Sequence, residues 1–220
     1  MVVIAIVSML GSMAVPKLLS TRDRAKAVAC ASNLREIGMA VSLYAMDHAG
    51  QLPEAWNEPT KTPYTTLLEP YVSQVEESVK HDKKNVFVCP GNKLPPQIVD
   101  STVGIYTYSM NIILGNGTVR LPQIKSPSTT FVFTDGTQVT SNGNLASGSI
   151  YQPWQLFWVT DPNVSVPPDN DSDSSASGGS VRYRHAGAAN FLMADGHVEA
   201  IKAGTLLSRT GGMMWEPPTP

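Results

Sequence analysis

MVVIAIVSMLGSMAVPKLLSTRDRAKAVACASNLREIGMAVSLYAMDHAG, residues 1–50, changes its chemistry partway along while keeping one helical rhythm. Residues 1–15 carry no charge, Pro16 interrupts the run, and Lys17, Arg22, Asp23, Arg24 and Lys26 follow. From Cys30 onward apolar residues fall at Cys30, Leu34, Ile37, Val41 and Tyr44. Steps of four and three place them on one stripe of an amphipathic helix. Asn33, Arg35, Glu36 and Ser42 take the other faces, and Gly50 is the predicted helix stop. The first half therefore calls for apolar surroundings on every side, the second for a core on one side only.

An apolar run of this length spans about 22 Å, short of the roughly 30 Å hydrocarbon layer of a bilayer. A secretory signal peptide would carry its basic residues before the run, and here they come after it. A cleaved signal would also end in small residues and a loop, whereas the helical pattern continues. A membrane or filament-core helix is the expectation, with a buried core helix as its rival. Pro16 is expected to kink or locally melt the helix, because proline lacks an N–H and crowds the preceding turn.

The chain has 220 residues and a net charge of −2. That length suits one domain, and the 170 or so residues beyond the arm suffice to bury a core without a metal. The charge balance speaks against a nucleic-acid partner, since basic residues cluster only after Pro16. That cluster suits either a membrane surface with anionic lipid or a solvated helix turn.

Downstream, residues 64–72 read as a short helix stopped near Pro70. Strands are expected at 85–89, 106–111, 129–134 and, less distinctly from a helix, 154–159; strand character resumes at 181–185. Residues 190–194 and 197–201, joined at Asp195-Gly196, read as a hairpin with a two-residue type I′ turn. Residues 160–179 are acidic and low in complexity, a loop by composition. The elements add up to an α+β fold, a long N-terminal helix laid across an antiparallel β-sheet head. Two regions follow: residues 1–29, the apolar helix half, and residues 30–220, the head with the amphipathic half.

Residues 2–53, VVIAIVSMLGSMAVPKLLSTRDRAKAVACASNLREIGMAVSLYAMDHAGQLP, resemble the N-terminal region of type IV pilin-like proteins and type II secretion pseudopilins. The chain is similar in particular to the bacterial group with a prepilin-type N-terminus and a C-terminal H-x9-DG motif. His185, nine intervening residues and Asp195-Gly196 match that motif, and residues 30–38 and 87–90 (FVCP) also fit the group. Members of this family carry a short basic leader ending in Gly, then Phe and, four residues on, Glu. Aligning on Pro16 places that Glu two residues before Met1. About six further residues would bring the apolar run to bilayer length.

The resemblance implies a pilin-like fold and a structural subunit, not an enzyme, of a type IV pilus-like or type II secretion pseudopilus filament. It implies insertion in the inner membrane with a periplasmic head before assembly, and a periplasmic or extracellular filament afterwards. Implied partners are copies of the chain or related subunits, the membrane and the assembly platform. The alternative is a membrane-tethered periplasmic module that binds a glycan or an ion.

The candidate site residues fall into four groups. Cys30 on the helix stripe and Cys89 at the end of an apolar stretch are expected to be buried against each other. They form either a disulfide, worth about 2–4 kcal/mol in an exported protein, or two free thiols. His185, Asp195 and His197 offer two imidazoles and a carboxylate, suited to zinc or to a base and its orienter. Their other reading is structural, with Asp195 and Gly196 making the turn and His185 locking the neighbouring strand. Asp169, Asp171 and Asp173 have the spacing that opens a calcium loop, but Ser174 and Ser180 stand where an EF-hand needs Gly and Glu. A looser calcium site with Asp161 as a further ligand, or a solvated linker, remains; otherwise no cofactor is expected. Trp56, Trp154, Phe157, Trp158 and Trp215 would suit either a sugar-stacking face or the core, and the core is favoured.

Overall fold

The computed structural model describes residues 2–57, 59–60, 62–72, 85–91, 107–111, 114–136, 139–140, 150–151, 155–156 and 181–202. Helix α1 (Val2–Asp47) runs unbroken past Pro16. Among the described residues no helix is long and apolar enough to cross a membrane. Residues 21–25 of α1 are exposed all round, and the head begins to cover the helix from Ala27, whose carbonyl accepts a bond from Asn190 Nδ2 at 3.4 Å. The expected stripe is the buried one: Cys30, Leu34, Ile37 and Val41 lie in the core with Ala40 and Ala45, and Tyr44 packs at the margin.

The helix ends at Asp47, and its left-handed capping residue falls one position before the expected glycine. Ala49 takes the left-handed conformation (φ 54°), and the Gly50 N–H (φ 85°) reaches back to the Ala45 carbonyl at 2.6 Å. That bond spans the six-residue closure of a Schellman motif, which puts alanine where glycine is normally found. Gly50 is itself constrained, because a Cβ there would lie 3.2 Å from Pro122 Cδ.

A five-stranded sheet carries the head. Its strands are β3 (Tyr108–Asn111), β4 (Phe131–Asp135), β7 (Gln155–Leu156), β8 (Ala188–Met193) and β9 (Val198–Lys202), in the order β7-β3-β4-β8-β9. Pairing is antiparallel except at one edge, where β7 runs parallel to β3, so the sheet is mixed and not purely antiparallel as expected. Two small antiparallel pairs are separate from it: β1 (Trp56–Asn57) with β2 (Thr62–Pro63), and β5 (Val139–Thr140) with β6 (Ile150–Tyr151). Trp56 is thus a half-buried strand residue. Helix α2 (Tyr64–Leu68) gives way to a tighter helical turn, Glu69–Tyr71, at Pro70.

Helix α1 lies on one face of this sheet. Alternation along β8 sends Leu192 toward the helix and Ala189, Phe191 and Met193 to the opposite face, where Phe131 meets Phe191 edge-on at 5.5 Å. A register shift between Phe131 and Phe133 turns both Val132 and Phe133 to the helix side, the signature of a bulge. Gly38 sets the helix-to-sheet distance, since a Cβ there would stand 2.9 Å from Leu192 Cδ1. Tyr64 fills the layer between, 4.8 Å from Phe133 and 6.0 Å from Phe87, with its hydroxyl donating to the Tyr108 carbonyl at 2.6 Å.

Two expected strands are not strands. Residues 85–88 are turns, because the Asn85 side chain accepts the Phe87 N–H at 2.9 Å and the Asn85 carbonyl accepts the Val88 N–H at 2.9 Å. An asparagine that bonds its own backbone competes with the ladder. Residues 181–185 touch the sheet through single bridges, Val181 to Gly136 and His185 to Ala188, with the Arg184 N–H turned back to the Arg182 carbonyl at 3.0 Å.

Candidate functional site

Four elements converge on one buried point. Cys30 comes from α1 and Cys89 from the segment 85–91; Asp135 ends β4, and His185 precedes β8. Cys30 and Cys89 are joined in a disulfide, with Cα atoms 5.0 Å apart. His185 Nε2 lies 3.4 Å from Cys89 Sγ and 3.3 Å from Asp135 Oδ2. The donor atoms of all four residues fall within 4.8 Å of one another, and all four residues are buried.

Each member is held by bonds from outside the group. The Asn190 N–H donates to Asp135 Oδ2 at 2.8 Å, and the Arg182 N–H donates to the Asp135 carbonyl at 2.8 Å. Asp135 Oδ1 is fully buried and has no hydrogen-bond partner among the described residues. The Gly91 N–H points to Cys89 Sγ at 3.3 Å, and the Cys89 N–H donates to Thr107 Oγ1 at 2.7 Å. Asn33 Nδ2 ties helix to loop through the Val88 carbonyl at 3.1 Å. Glycine is required at 91, because a Cβ would stand 2.9 Å from His185 Cε1 and 3.3 Å from Cys89 Sγ. Tyr108 lies beside the group and donates to the Cys30 carbonyl at 3.3 Å; burial first, then the Asp135 charge, raises its pKa well above the ordinary phenol value.

The two ends of the His185–Asp195 motif do not meet. His185 and Ala188 exchange both backbone bonds, each at 3.0 Å, around Ala186 (φ 53°) and Gly187 (φ 79°). Positive φ at both central residues is the mark of a type I′ turn, so that turn lies here and not at Asp195-Gly196. The far end of β8 closes through Ala194-Asp195-Gly196: the Gly196 N–H bonds the Met193 carbonyl at 2.9 Å, and the Met193 N–H bonds the His197 carbonyl at 2.9 Å. Only Gly196 is left-handed there (φ 91°), as in a three-residue loop with a glycine bulge.

The spacing of the motif is therefore the length of one strand with its two turns. At about 3.3 Å per residue, six-residue β8 separates His185 from Asp195 by roughly 20 Å, too far to share a metal or a proton. Asp195 Oδ1 instead bonds His197 Nδ1 at 2.6 Å and accepts the His197 N–H at 3.2 Å, on the surface. Slight burial raises the Asp195 pKa, but these bonds and the His197 ring outweigh it and hold the carboxyl below its ordinary value.

Asp135 and Gly91 are the partners of His185 and Cys89 that sequence reading misses. Asp135 reads as the turn residue after a hydrophobic strand, and no spacing ties it to a histidine 50 positions on. Asp161, Asp169, Asp171 and Asp173 lie outside the described residues, as do Trp154, Phe157, Trp158 and Trp215. Comparison with family models, with curated proteins and with solved structures gave no match.

Proposed function

We infer that the chain is a pilin-like structural subunit of a type IV pilus-like or type II secretion pseudopilus filament. Its helix α1 is held in the inner membrane before assembly, with the head in the periplasm, and is packed among copies of itself afterwards. The observation that carries the reading is that the head does not cover α1 at residues 21–25. The helix is continuous from Val2, yet residues 21–25 are exposed on every side, and the uncharged stretch 1–15 lies beyond them. An apolar helix outside a head has two acceptable surroundings, lipid or like helices, and exchange between them costs little because both bury the same surface.

The covered half of α1 supports the same reading. Val28, Met39, Leu43 and Met46 are 67%, 62%, 48% and 78% exposed. With exposed Ser32 and Arg35 they fall within about 80° of arc at 100° per residue, opposite the stripe that faces the sheet. Exposed apolar side chains grouped on one helix face, here Met39, Leu43 and Met46, suit an interaction surface. The resemblance of residues 2–53 and of the His185, Asp195 and Gly196 motif to the pilin-like group points the same way.

Cysteines introduced at Val7 and Met13 test the proposal, with a bismaleimide added to intact cells. A filament brings the two positions of neighbouring subunits together and gives a ladder of covalent oligomers. A tethered glycan- or ion-binding module gives monomers alone, and that result overturns the reading.

A further inference from the structure

The geometry points to a second, mutually exclusive state of the buried cluster, in which the reduced chain binds one zinc-class ion through Cys30, Cys89, Asp135 and His185. Two thiolates, an imidazole nitrogen and a carboxylate oxygen are the donor types of a closed tetrahedral zinc site. With Zn–S near 2.3 Å and Zn–N and Zn–O near 2.05 Å, tetrahedral edges are about 3.4 Å for N···O, 3.6 Å for S···N and 3.8 Å for S···S. The His185–Asp135 separation of 3.3 Å and the His185–Cys89 separation of 3.4 Å already lie close to the first two. The S···S edge does not fit, because the covalent bond holds the sulfurs roughly 1.7 Å too close; all four donor atoms lie within 4.8 Å of one another.

Reduction corrects that edge. A dithiol reductant gives two electrons to the Cys30–Cys89 bond and closes its own disulfide, leaving two thiols that lose their protons to solvent as the metal enters. Cys30 stands on a rigid helix, whereas Cys89 stands in a turn segment, so the sulfurs part by movement of residues 85–91.

Two observations indicate a ligand, beyond the donor types themselves. Asp135 is wholly buried and keeps Oδ1 without a hydrogen-bond partner among the described residues, so the carboxylate is undersatisfied and an ion held at its other oxygen, Oδ2, would offset that cost. The supporting bonds are also those of a metal site: the Asn190 N–H orients the carboxylate and the Gly91 N–H points at a sulfur. The proposal is independent of filament assembly.

The test uses the full chain, reduced under anaerobic conditions and titrated with Co²⁺, and then with Zn²⁺ as competitor. The chain has only two cysteines, so thiolate-to-cobalt charge transfer in the near ultraviolet can arise nowhere else. The expected result is one Co²⁺ per chain, with that band and the intense visible bands of a tetrahedral ion, both bleached by Zn²⁺ and both absent from the disulfide form. His185→Gln and Asp135→Asn should each raise the half-saturation concentration at least about tenfold, with far-ultraviolet circular dichroism confirming that the reduced variants are folded. If either variant does not fold, the wild-type titration decides alone. Absence of the charge-transfer band in the reduced wild type overturns the proposal, as does an unchanged half-saturation point in both folded variants.

Discussion

Replacing Cys30 and Cys89 together by Ala removes the disulfide that cross-links helix and head, and its cost follows from the chain. The bridge closes a loop with a sequence separation of 59. The loop-entropy relation gives about 14 cal/mol/K for a loop of that size, or about 4 kcal/mol at 25 °C. Set against a total of about 5–15 kcal/mol for a natural domain, that is a large share. For a chain of this size, 1 kcal/mol shifts Tm by about 2–4 °C, so the variant should melt about 8–16 °C below wild type. The assay is thermal and urea unfolding of the oxidised wild type, the reduced wild type and the double variant, with metal chelated throughout. The reduced wild type should fall with the variant, and the urea slope should rise in both, because an untied denatured chain exposes more surface. A Tm within about 2 °C of oxidised wild type for the variant and the reduced protein would show that the bridge contributes little to stability.

Three further outcomes follow from backbone and side-chain geometry. Ala49→Gly should stabilise by about 1 kcal/mol, because it relieves a left-handed alanine (φ 54°), and urea titration would show the midpoint rise. Gly91→Ala should destabilise by about 1–3 kcal/mol, since its Cβ meets the buried ring of His185 at 2.9 Å and that ring is held by Asp135; a melting point equal to wild type would contradict this. The depressed Asp195 carboxyl contributes stability that is present above its unfolded pKa near 3.8 and is lost as pH falls through the lower folded value. The Tm gap between wild type and Asp195→Asn should therefore close as pH is lowered from 6 through that region, and a gap that stays constant would deny the carboxylate its role.

The helix and the strands nearest its axis were legible because their signals are local. The stripe at Cys30, Leu34, Ile37 and Val41 repeats at helical spacing, and each of these residues is buried. Strand β4 lies where TTFVFT indicated, one to two residues further on. The disulfide was legible as a pairing of the only two cysteines, with free thiols as the open rival. Residues 85–89 looked like a strand because Phe, Val and Cys carry strand propensity, and the Asn85 side chain overrode it with local bonds. The type I′ turn falls at the opposite end of β8 from Asp195-Gly196, since Asp-Gly is the commoner signature than Ala-Gly, whose left-handed alanine carries a steric cost.

The buried cluster was half legible. Cys30, Cys89 and His185 stood out as chemically distinctive residues, but Asp135 and Gly91 join them only through the antiparallel pairing of β4 with β8 and the path of residues 85–91. No spacing in the chain encodes a contact that a sheet register creates. The same register separates His185 from Asp195, which the motif sets side by side in the eye of a reader.

The most direct test of the filament reading is photo-crosslinking from the outward row of α1, with benzophenone-phenylalanine in place of Met39 in cells that express the full chain. A filament gives a ladder of subunit-to-subunit products that is lost when Leu43 and Met46 are both changed to Glu while the head stays folded. Illumination that yields monomers only, from a protein present at normal levels in the membrane, would contradict that reading.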